Sequence, residues 1–339
     1  MTATVILGLA LTLIAGLLAG NCMLPMKFVK GWQWENTWLI FSIVSLVIIP
    51  WALAFALVGD VFAVYSKLPL SAFAAPVLFG AGWGIAQALF GLSITRLGMA
   101  LTYAIIVGMG ALLGTLVPLL VKNDDVARTS RSTLIFSGIA VMVAGIVFSA
   151  WAGKMREGSK PETAPKGKQS GTYALALATA LICGLLAPML NYSFAFGQNI
   201  ADQAVRQGAS HAAAVYAVWP VGLFGGLIPN ATYCFYLLGH NGTWKRFNRA
   251  PGNGVGFGSL MGVLWMGAMA IYGVASVYLG ALGTSVGWAL FQIFMIMTAN
   301  LSGVLTGEWK NASAGAKRTL AAGLILLAFA TGLIAVGSQ

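Results

Sequence analysis

Ten long apolar runs, separated by shorter hydrophilic connections, dominate this sequence of 339 residues. A helix needs about 20 apolar residues to cross the roughly 30 Å of hydrocarbon in a bilayer, and each run has this length. Hydrophobic residues make up 59% of the chain and charged residues only 8%, too few to cover a water-soluble surface. We therefore predict an all-α polytopic membrane protein with ten transmembrane helices. The predicted spans are residues 4–25, 37–58, 72–95, 99–121, 132–152, 172–196, 210–238, 255–279, 283–305 and 317–337.

The chain also contains an internal repeat at an offset of 182 residues. Eight of 23 aligned positions are identical, and they pair Gly80, Trp83, Ala86, Ala88, Gly91, Leu97, Gly98 and Thr102 with Gly262, Trp265, Ala268, Ala270, Gly273, Leu279, Gly280 and Thr284. Each half then holds five spans, at residues 1–152 and 172–339, joined by a flexible basic linker at 153–171. Because five is odd, the second half starts on the opposite side of the membrane, which predicts a 5+5 inverted repeat of the kind found in transporters.

The loop charges predict the orientation. Fourteen of the nineteen Lys and Arg residues fall in alternate loops on one side, and basic loops face the cytoplasm. Both termini and the five remaining basic residues then face out. We expect a multi-pass protein of the cell inner membrane. The net charge of +11 follows from this topology and from contact with anionic lipid, without a nucleic-acid partner.

The distribution of titratable residues excludes most enzyme chemistry. All eight carboxylates and both histidines lie in loops or at span ends, whereas a membrane-embedded enzyme needs a cluster of such groups. We therefore predict no catalytic residues, no metal site and no cofactor other than a coupled proton.

Neutral polar and aromatic residues occupy the middle of several spans instead. Trp83 and Gln87 are four residues apart and share a helix face, and Trp265 and Tyr272 continue the pattern in the second half. We expect these residues to bind a small neutral ligand such as a sugar, with rings on its C–H faces and amides on its hydroxyls. Helix packing and interhelical hydrogen bonds are their alternative roles. The remaining candidate substrate-binding residues are Asn21, Tyr103, Asn191, Trp288 and Gln292.

Tryptophans near span ends have a different interpretation. Trp309 and others like it are typical of the interfacial aromatic belt.

Several segments in order along the chain resemble the L-rhamnose/proton symporter family of the drug/metabolite transporter superfamily. They are Pro25 to Glu35, Pro50 to Ala52, Phe79 to Ile85, Arg96 to Met99, and Glu308 to Ala312. The resemblance implies a ten-span fold of five plus five helices, both termini outside, and proton-coupled uptake of a deoxy sugar.

The carboxylates to test for proton coupling or gating are Glu35 and Glu308, with Lys27 as a partner for Glu35, because residues 284–292 of the ninth span carry no titratable side chain. The expected mechanism is alternating access around a site lined by the third, fourth, eighth and ninth spans. An exporter or uncoupled facilitator of another neutral metabolite or amphiphile is the alternative within transport. A nontransporting membrane receptor or scaffold is the alternative outside it.

Overall fold

The computed structural model describes residues 3–97, 99–122, 132–157 and 170–338. Every regular element in these ranges is helical, and ten segments are long and apolar enough to cross a membrane. The predicted all-α fold with ten transmembrane helices is confirmed. In chain order, spans 1 to 10 are Ala3–Phe28, Trp34–Leu57, Ser71–Ile94, Leu101–Lys122, Ser132–Arg156, Tyr173–Arg206, His211–His240, Pro251–Tyr278, Val286–Leu305 and Ala314–Gly337.

The individual helices show which spans are continuous. The α-helices are Ala3–Asn21, Trp34–Ile43, Ile49–Leu57, Val61–Ser66, Ser71–Leu97, Met99–Lys122, Ser132–Glu157, Ser170–Leu186, Met189–Phe196, Gln198–Arg206, His211–Ala214, Trp219–His240, Pro251–Tyr278, Val286–Leu305 and Ala314–Gly337. The helix of span 5 extends to Glu157, past the start of the predicted linker, and residues 158–169 of that linker lie outside the described ranges.

Several spans are interrupted beside a proline, among them spans 2 and 6. In span 6 one helix ends at Leu186 and the next begins at Met189, on either side of Pro188. Proline lacks an N–H, and its ring clashes with the preceding turn. In span 2 a π-helical turn at Val44–Ile48 precedes Pro50. Such irregular backbone is tolerated at membrane depth where protein or a cavity surrounds it.

Glycine allows neighbouring spans to pack backbone to backbone. Spans 3 and 7 meet so closely that a Cβ added at Gly80 would lie 1.9 Å from the carbonyl oxygen of Gly222. Spans 5 and 10 meet in the same way, and a Cβ at Gly145 would lie 3.1 Å from the carbonyl oxygen of Gly323. Close contact of this kind drives helix association in lipid, where the hydrophobic effect does not.

The packing partners of the spans follow a regular scheme. Span 1 packs against spans 8 and 9, and span 6 packs against spans 3 and 4. Span 2 contacts span 7, span 4 contacts span 9, and span 5 contacts span 10. The broken span 6 and the end of span 1 therefore lie beside the spans that carry most of the predicted site.

Candidate functional site

A central cavity of about 470 Å³ lies among spans 1, 3, 4, 5, 6, 8 and 9. Its volume falls within the ~300–1,000 Å³ typical of small-molecule sites. It is lined by six of the nine predicted substrate-binding residues, namely Trp83, Gln87, Tyr103, Trp265, Trp288 and Gln292. Spans 3, 4, 8 and 9 thus contribute walls, as expected, and span 5 adds a wall that we did not predict.

The repeat-related tryptophans are in direct contact in the wall of this cavity. The rings of Trp83 and Trp265 stack with their centroids 5.3 Å apart and their planes at 18°. Trp83 is 6% exposed and packs against Gly226 of span 7, while Phe41 of span 2 meets Trp265 edge to face. The pair therefore forms a supported aromatic surface between the two halves of the chain.

The two predicted glutamines reach the cavity with free amides. Gln292 is 7% exposed, and Gln87 is partly buried. Neither side chain hydrogen-bonds to another residue in the part of the chain that the structure describes. Each amide offers both a donor and an acceptor, so both are available to hydrogen-bond a ligand in the cavity.

Tyr103 and Trp288 complete the aromatic lining. Tyr103 meets Phe90 edge to face, with centroids 5.4 Å apart. The indole N–H of Trp288 donates to the carbonyl oxygen of Gly110 at 3.2 Å, so it presents its ring and keeps its polar atom satisfied.

Asn191 and Tyr272 lie behind the cavity wall and are absent from its lining. Asn191 donates to the carbonyl oxygens of Gly114 at 2.9 Å and Thr284 at 2.7 Å, and accepts from the Tyr272 hydroxyl at 2.7 Å. Tyr272 in turn meets Trp288 edge to face. We call Asn191, Tyr272 and Trp288 the closing layer, because they tie spans 4, 6, 8 and 9 together at the end of the central cavity where span 9 begins.

Asn21 also has protein partners in place of a ligand. Its amide donates to the carbonyl oxygen of Leu17, and its side-chain oxygen accepts from Ser302 at 2.6 Å. Asn21 therefore links spans 1 and 9 beside the cavity without lining it.

A charged cluster lies at the opposite end of the cavity from the closing layer. Glu308 pairs with Lys27 and, at 3.0 Å, with Arg156, and the Arg156 guanidinium lies 4.9 Å from the ring centroid of Trp309. Arg156, Glu308 and Trp309 all line the cavity. The hydrogen bond from Lys27, its charge and that of Arg156 lower the pKa of the Glu308 carboxyl below its usual value, despite partial desolvation.

This cluster corrects two interpretations made from the sequence. Lys27 pairs with Glu308 instead of Glu35. Glu35 is 4% exposed and accepts from Thr243 at 2.7 Å and Asn241 at 3.1 Å, outside the cavity lining.

The second corrected interpretation concerns Trp309, which the sequence placed in the interfacial aromatic belt. It is 5% exposed, buried beneath Arg156 instead of facing lipid. Sequence reasoning missed Arg156 because it follows the apolar run of span 5 and meets Glu308 across 152 residues of chain.

Ten apolar spans, seven of which surround a cavity lined by aromatic and amide side chains, define a polytopic membrane protein of the transporter class. Residues 1–339 match the family described as L-rhamnose-proton symport protein (RhaT), and the chain belongs to this family. The resemblance noted in the sequence is thereby confirmed. The family is one of transporters and not of enzymes, and proton symport requires no cofactor.

Curated relatives match over nearly their whole length. The chain is 26% identical over 345 residues to a protein of Citrobacter koseri and 27% identical over 348 residues to one of Salmonella enteritidis. A protein of Escherichia coli is 26% identical over 348 residues. Each is named L-rhamnose-proton symporter, and each match covers 99% of both chains.

Proposed function

We propose that this protein carries a small neutral deoxy sugar of the L-rhamnose type, together with a proton, through the central cavity. The observation that carries the proposal is the pair of partnerless amides, Gln87 and Gln292, facing a cavity walled by Trp83, Trp265 and Trp288. Aromatic faces cover the C–H surfaces of a sugar, and amides serve hydroxyls as both donor and acceptor.

The rest of the lining favours a substrate with an apolar edge. Phe291, Met269 and Met295 face the cavity. Thioether and phenyl groups suit the methyl group that a 6-deoxyhexose carries in place of the hydroxymethyl group of its parent hexose. The charged lining side chains of the described chain, Arg156 and Glu308, are confined to one end. A charged substrate would find no counter-ion in the middle of the cavity, where its desolvation would be most costly.

We assign proton coupling to Glu308 rather than Glu35, because only Glu308 lines the cavity. In the observed arrangement, Lys27 and Arg156 favour its ionised form. Separating the carboxylate from these cations, while the cavity closes and desolvates it, raises its pKa and favours proton uptake. Re-forming the ion pairs releases the proton, so the protonation of Glu308 is linked to the position of span 1 and span 5.

The packing scheme of the spans supports alternating access between two inverted halves. An offset of 182 residues pairs span 3 with span 8 and span 4 with span 9. By order along the two halves, span 1 then corresponds to span 6. The packing of span 1 against spans 8 and 9 is then equivalent to the packing of span 6 against spans 3 and 4. Trp83 stacks on Trp265, which occupies the equivalent position in the second half. This pattern supports a pseudo-two-fold axis in the membrane plane.

The positive-inside orientation places the Glu308 end on the cytoplasmic side and the Lys122 end on the outer side of the membrane. The central cavity reaches Arg156 and Glu308 and is sealed towards Lys122 by the closing layer. With both termini outside, the Glu308 end of the cavity faces the cytoplasm, so this arrangement corresponds to an inward-facing conformation.

Uptake of radiolabelled L-rhamnose into proteoliposomes, with and without an inward proton gradient, tests the proposal. We expect gradient-driven accumulation in the wild type and its loss in Gln87→Ala and Gln292→Ala. Gln207→Ala is the matched control, because this amide binds only the carbonyl oxygen of Ala63, outside the cavity. Accumulation at wild-type rates in both cavity variants would place the substrate elsewhere.

An exporter or uncoupled facilitator of a neutral amphiphile is the second candidate, favoured by the predominance of apolar lining side chains. Uptake that is unaffected when a protonophore collapses the gradient would support the facilitator. Sensitivity to the protonophore supports symport.

A further inference from the structure

A second cavity, of about 360 Å³, lies at the Lys122 end of the bundle. It is bounded by the ends of spans 4, 6 and 8 and the start of span 7. Its volume also falls within the ~300–1,000 Å³ of small-molecule sites. The polar residues that line it are Lys122, Gln198, Asp202, His211, Ser276 and Thr284.

Three of these polar side chains have no hydrogen-bonding partner in the described part of the chain, although the charge of Asp202 acts on Lys122. Asp202, His211 and Thr284 make no side-chain hydrogen bond or ion pair within the described ranges. Lys122 is held in place, because it donates to the carbonyl oxygen of Ala195 and lies over the ring of Phe196. The cavity thus presents a carboxylate, an imidazole and a hydroxyl to whatever enters it.

We infer that this second cavity is an outer docking site for the same class of neutral sugar, an inference that rests on the proposed function. A carboxylate can accept hydrogen bonds from two vicinal hydroxyl groups, and imidazole and hydroxyl groups each donate or accept. Strong acceptors that retain contact with water suit a site that binds a hydrated sugar weakly and passes it on.

The geometry connects this docking site to the central cavity. Thr284 lines the second cavity, and its carbonyl oxygen accepts from Asn191 in the closing layer at 2.7 Å. Trp288, four residues further along, lines the central cavity. One hydrogen-bonded layer therefore separates the two cavities, and its opening joins them.

Protection of a cysteine from modification tests the inference. Ala281→Cys introduces a thiol at an exposed lining position without removing a polar group. The purified variant is treated with a sulfonate-bearing thiosulfonate reagent with and without L-rhamnose, and mass spectrometry measures labelling of the peptide containing residue 281. Site-resolved detection is needed because native Cys22 and Cys183 line the central cavity. Ser66→Cys is the control, an exposed position at the same end that lines neither cavity.

We expect L-rhamnose to slow labelling at residue 281 several-fold and to leave residue 66 unchanged. Protection should persist when Trp83→Ala is added and disappear when Asp202→Asn is added. Asp60→Asn is the matched carboxylate control, because Asp60 caps the helix Val61–Ser66 and asparagine caps equally well.

Absence of protection at residue 281 would overturn the inference. Loss of protection in the Trp83→Ala background would also overturn it, because protection would then depend on binding in the central cavity. Thermal stabilisation of the wild type by L-rhamnose, measured in parallel, separates the two proposals. Stabilisation without protection leaves the proposed function standing and removes the docking site. If L-rhamnose produces neither stabilisation nor protection, both the proposed function and the docking site are removed.

Discussion

Trp83 and Trp265 stack face to face at the centre of the molecule, with ring centroids 5.3 Å apart, although 182 residues separate them in the chain. Each is the repeat counterpart of the other. Both rings line the central cavity, so each half of the chain contributes one ring to its wall. A relative movement of the halves would alter this surface directly.

Truncation of either ring is expected to weaken substrate binding. A well-placed aromatic contact contributes ~0.5–1.5 kcal/mol beyond its buried area, and 1.4 kcal/mol corresponds to about tenfold in affinity. We therefore expect Trp83→Ala and Trp265→Ala to raise the half-saturating L-rhamnose concentration roughly tenfold. Initial uptake rates in proteoliposomes provide the measurement.

The matched control for these variants is Trp151→Ala. Trp151 lies on span 5, is 57% exposed and is absent from the cavity lining. An equal loss of uptake in Trp151→Ala would mean that removal of any large ring damages the fold, and would remove the case for a substrate contact.

Substitution of Glu308 is expected to uncouple sugar movement from the proton. Glu308→Gln cannot ionise, so we expect it to retain exchange of labelled for unlabelled sugar while losing accumulation driven by a proton gradient. The pH dependence of uptake should flatten in the same variant. Proton-driven accumulation at wild-type levels would exclude Glu308 as the coupling group.

The ion pairs of Glu308 also predict a pH dependence of stability. A carboxyl whose folded pKa is lowered stabilises the fold above its unfolded pKa, and this contribution is lost as the pH falls through the folded pKa. The pKa of Glu308 is lowered from about 4.5 by the Lys27 hydrogen bond and by Arg156. The melting temperature of the wild type should exceed that of Glu308→Gln at neutral pH. The difference should shrink as the pH falls below 4.5 and vanish once the pH is below the folded pKa of Glu308. A difference that stays constant into acid would contradict this assignment.

The closing layer is expected to govern stability more than affinity. Asn191→Ala leaves one buried carbonyl oxygen, one partly buried carbonyl oxygen and the Tyr272 hydroxyl without their partner. Hydrogen bonds between membrane helices contribute on average about 0.6 kcal/mol each and at most about 2. We therefore expect a lower melting temperature for Asn191→Ala. Gln87→Ala should melt near the wild type because its amide has no hydrogen-bonding partner among the residues that the structure describes. The opposite order would assign Asn191 to the substrate and Gln87 to the scaffold.

The sequence predicts the parts of this site that depend on position along a span. Trp83 and Gln87 share a helix face because they are four residues apart, and mid-run placement puts them at membrane depth. Helical spacing alone does not reveal which neighbour a side chain meets. Asn191, like Gln87, is a neutral amide within an apolar run of the sequence. The break at Pro188 directs Asn191 towards span 4 and Thr284 instead of the cavity.

Charged contacts at the span ends were harder to predict. The Glu308 cluster joins the ends of spans 1 and 5 to the connection between spans 9 and 10. Loop charge indicates that these ends lie on one side of the membrane, but it carries no information about which charges meet. Proximity along the chain favoured Glu35 for Lys27, and the packing of span 1 against span 9 brings Lys27 to Glu308 instead.

Two glycines of span 3 provide a matched test of backbone packing. A Cβ at Gly80 would lie 1.9 Å from the carbonyl oxygen of Gly222, whereas a Cβ at Gly91 would meet nothing within 4 Å. Gly80→Ala must therefore separate spans 3 and 7, and the shift would reach Trp83, which packs on Gly226 of the same interface. We expect Gly80→Ala to lower both the melting temperature and the transport rate.

Gly91→Ala serves as the control for Gly80→Ala. Alanine is favoured over glycine in a helix interior by roughly 1 kcal/mol, so we expect this variant to melt at or slightly above the wild-type temperature. Melting curves and uptake rates of the two variants, measured side by side, separate packing from helix propensity. Equal behaviour of the two variants would contradict the close contact between spans 3 and 7 that positions the aromatic wall of the cavity.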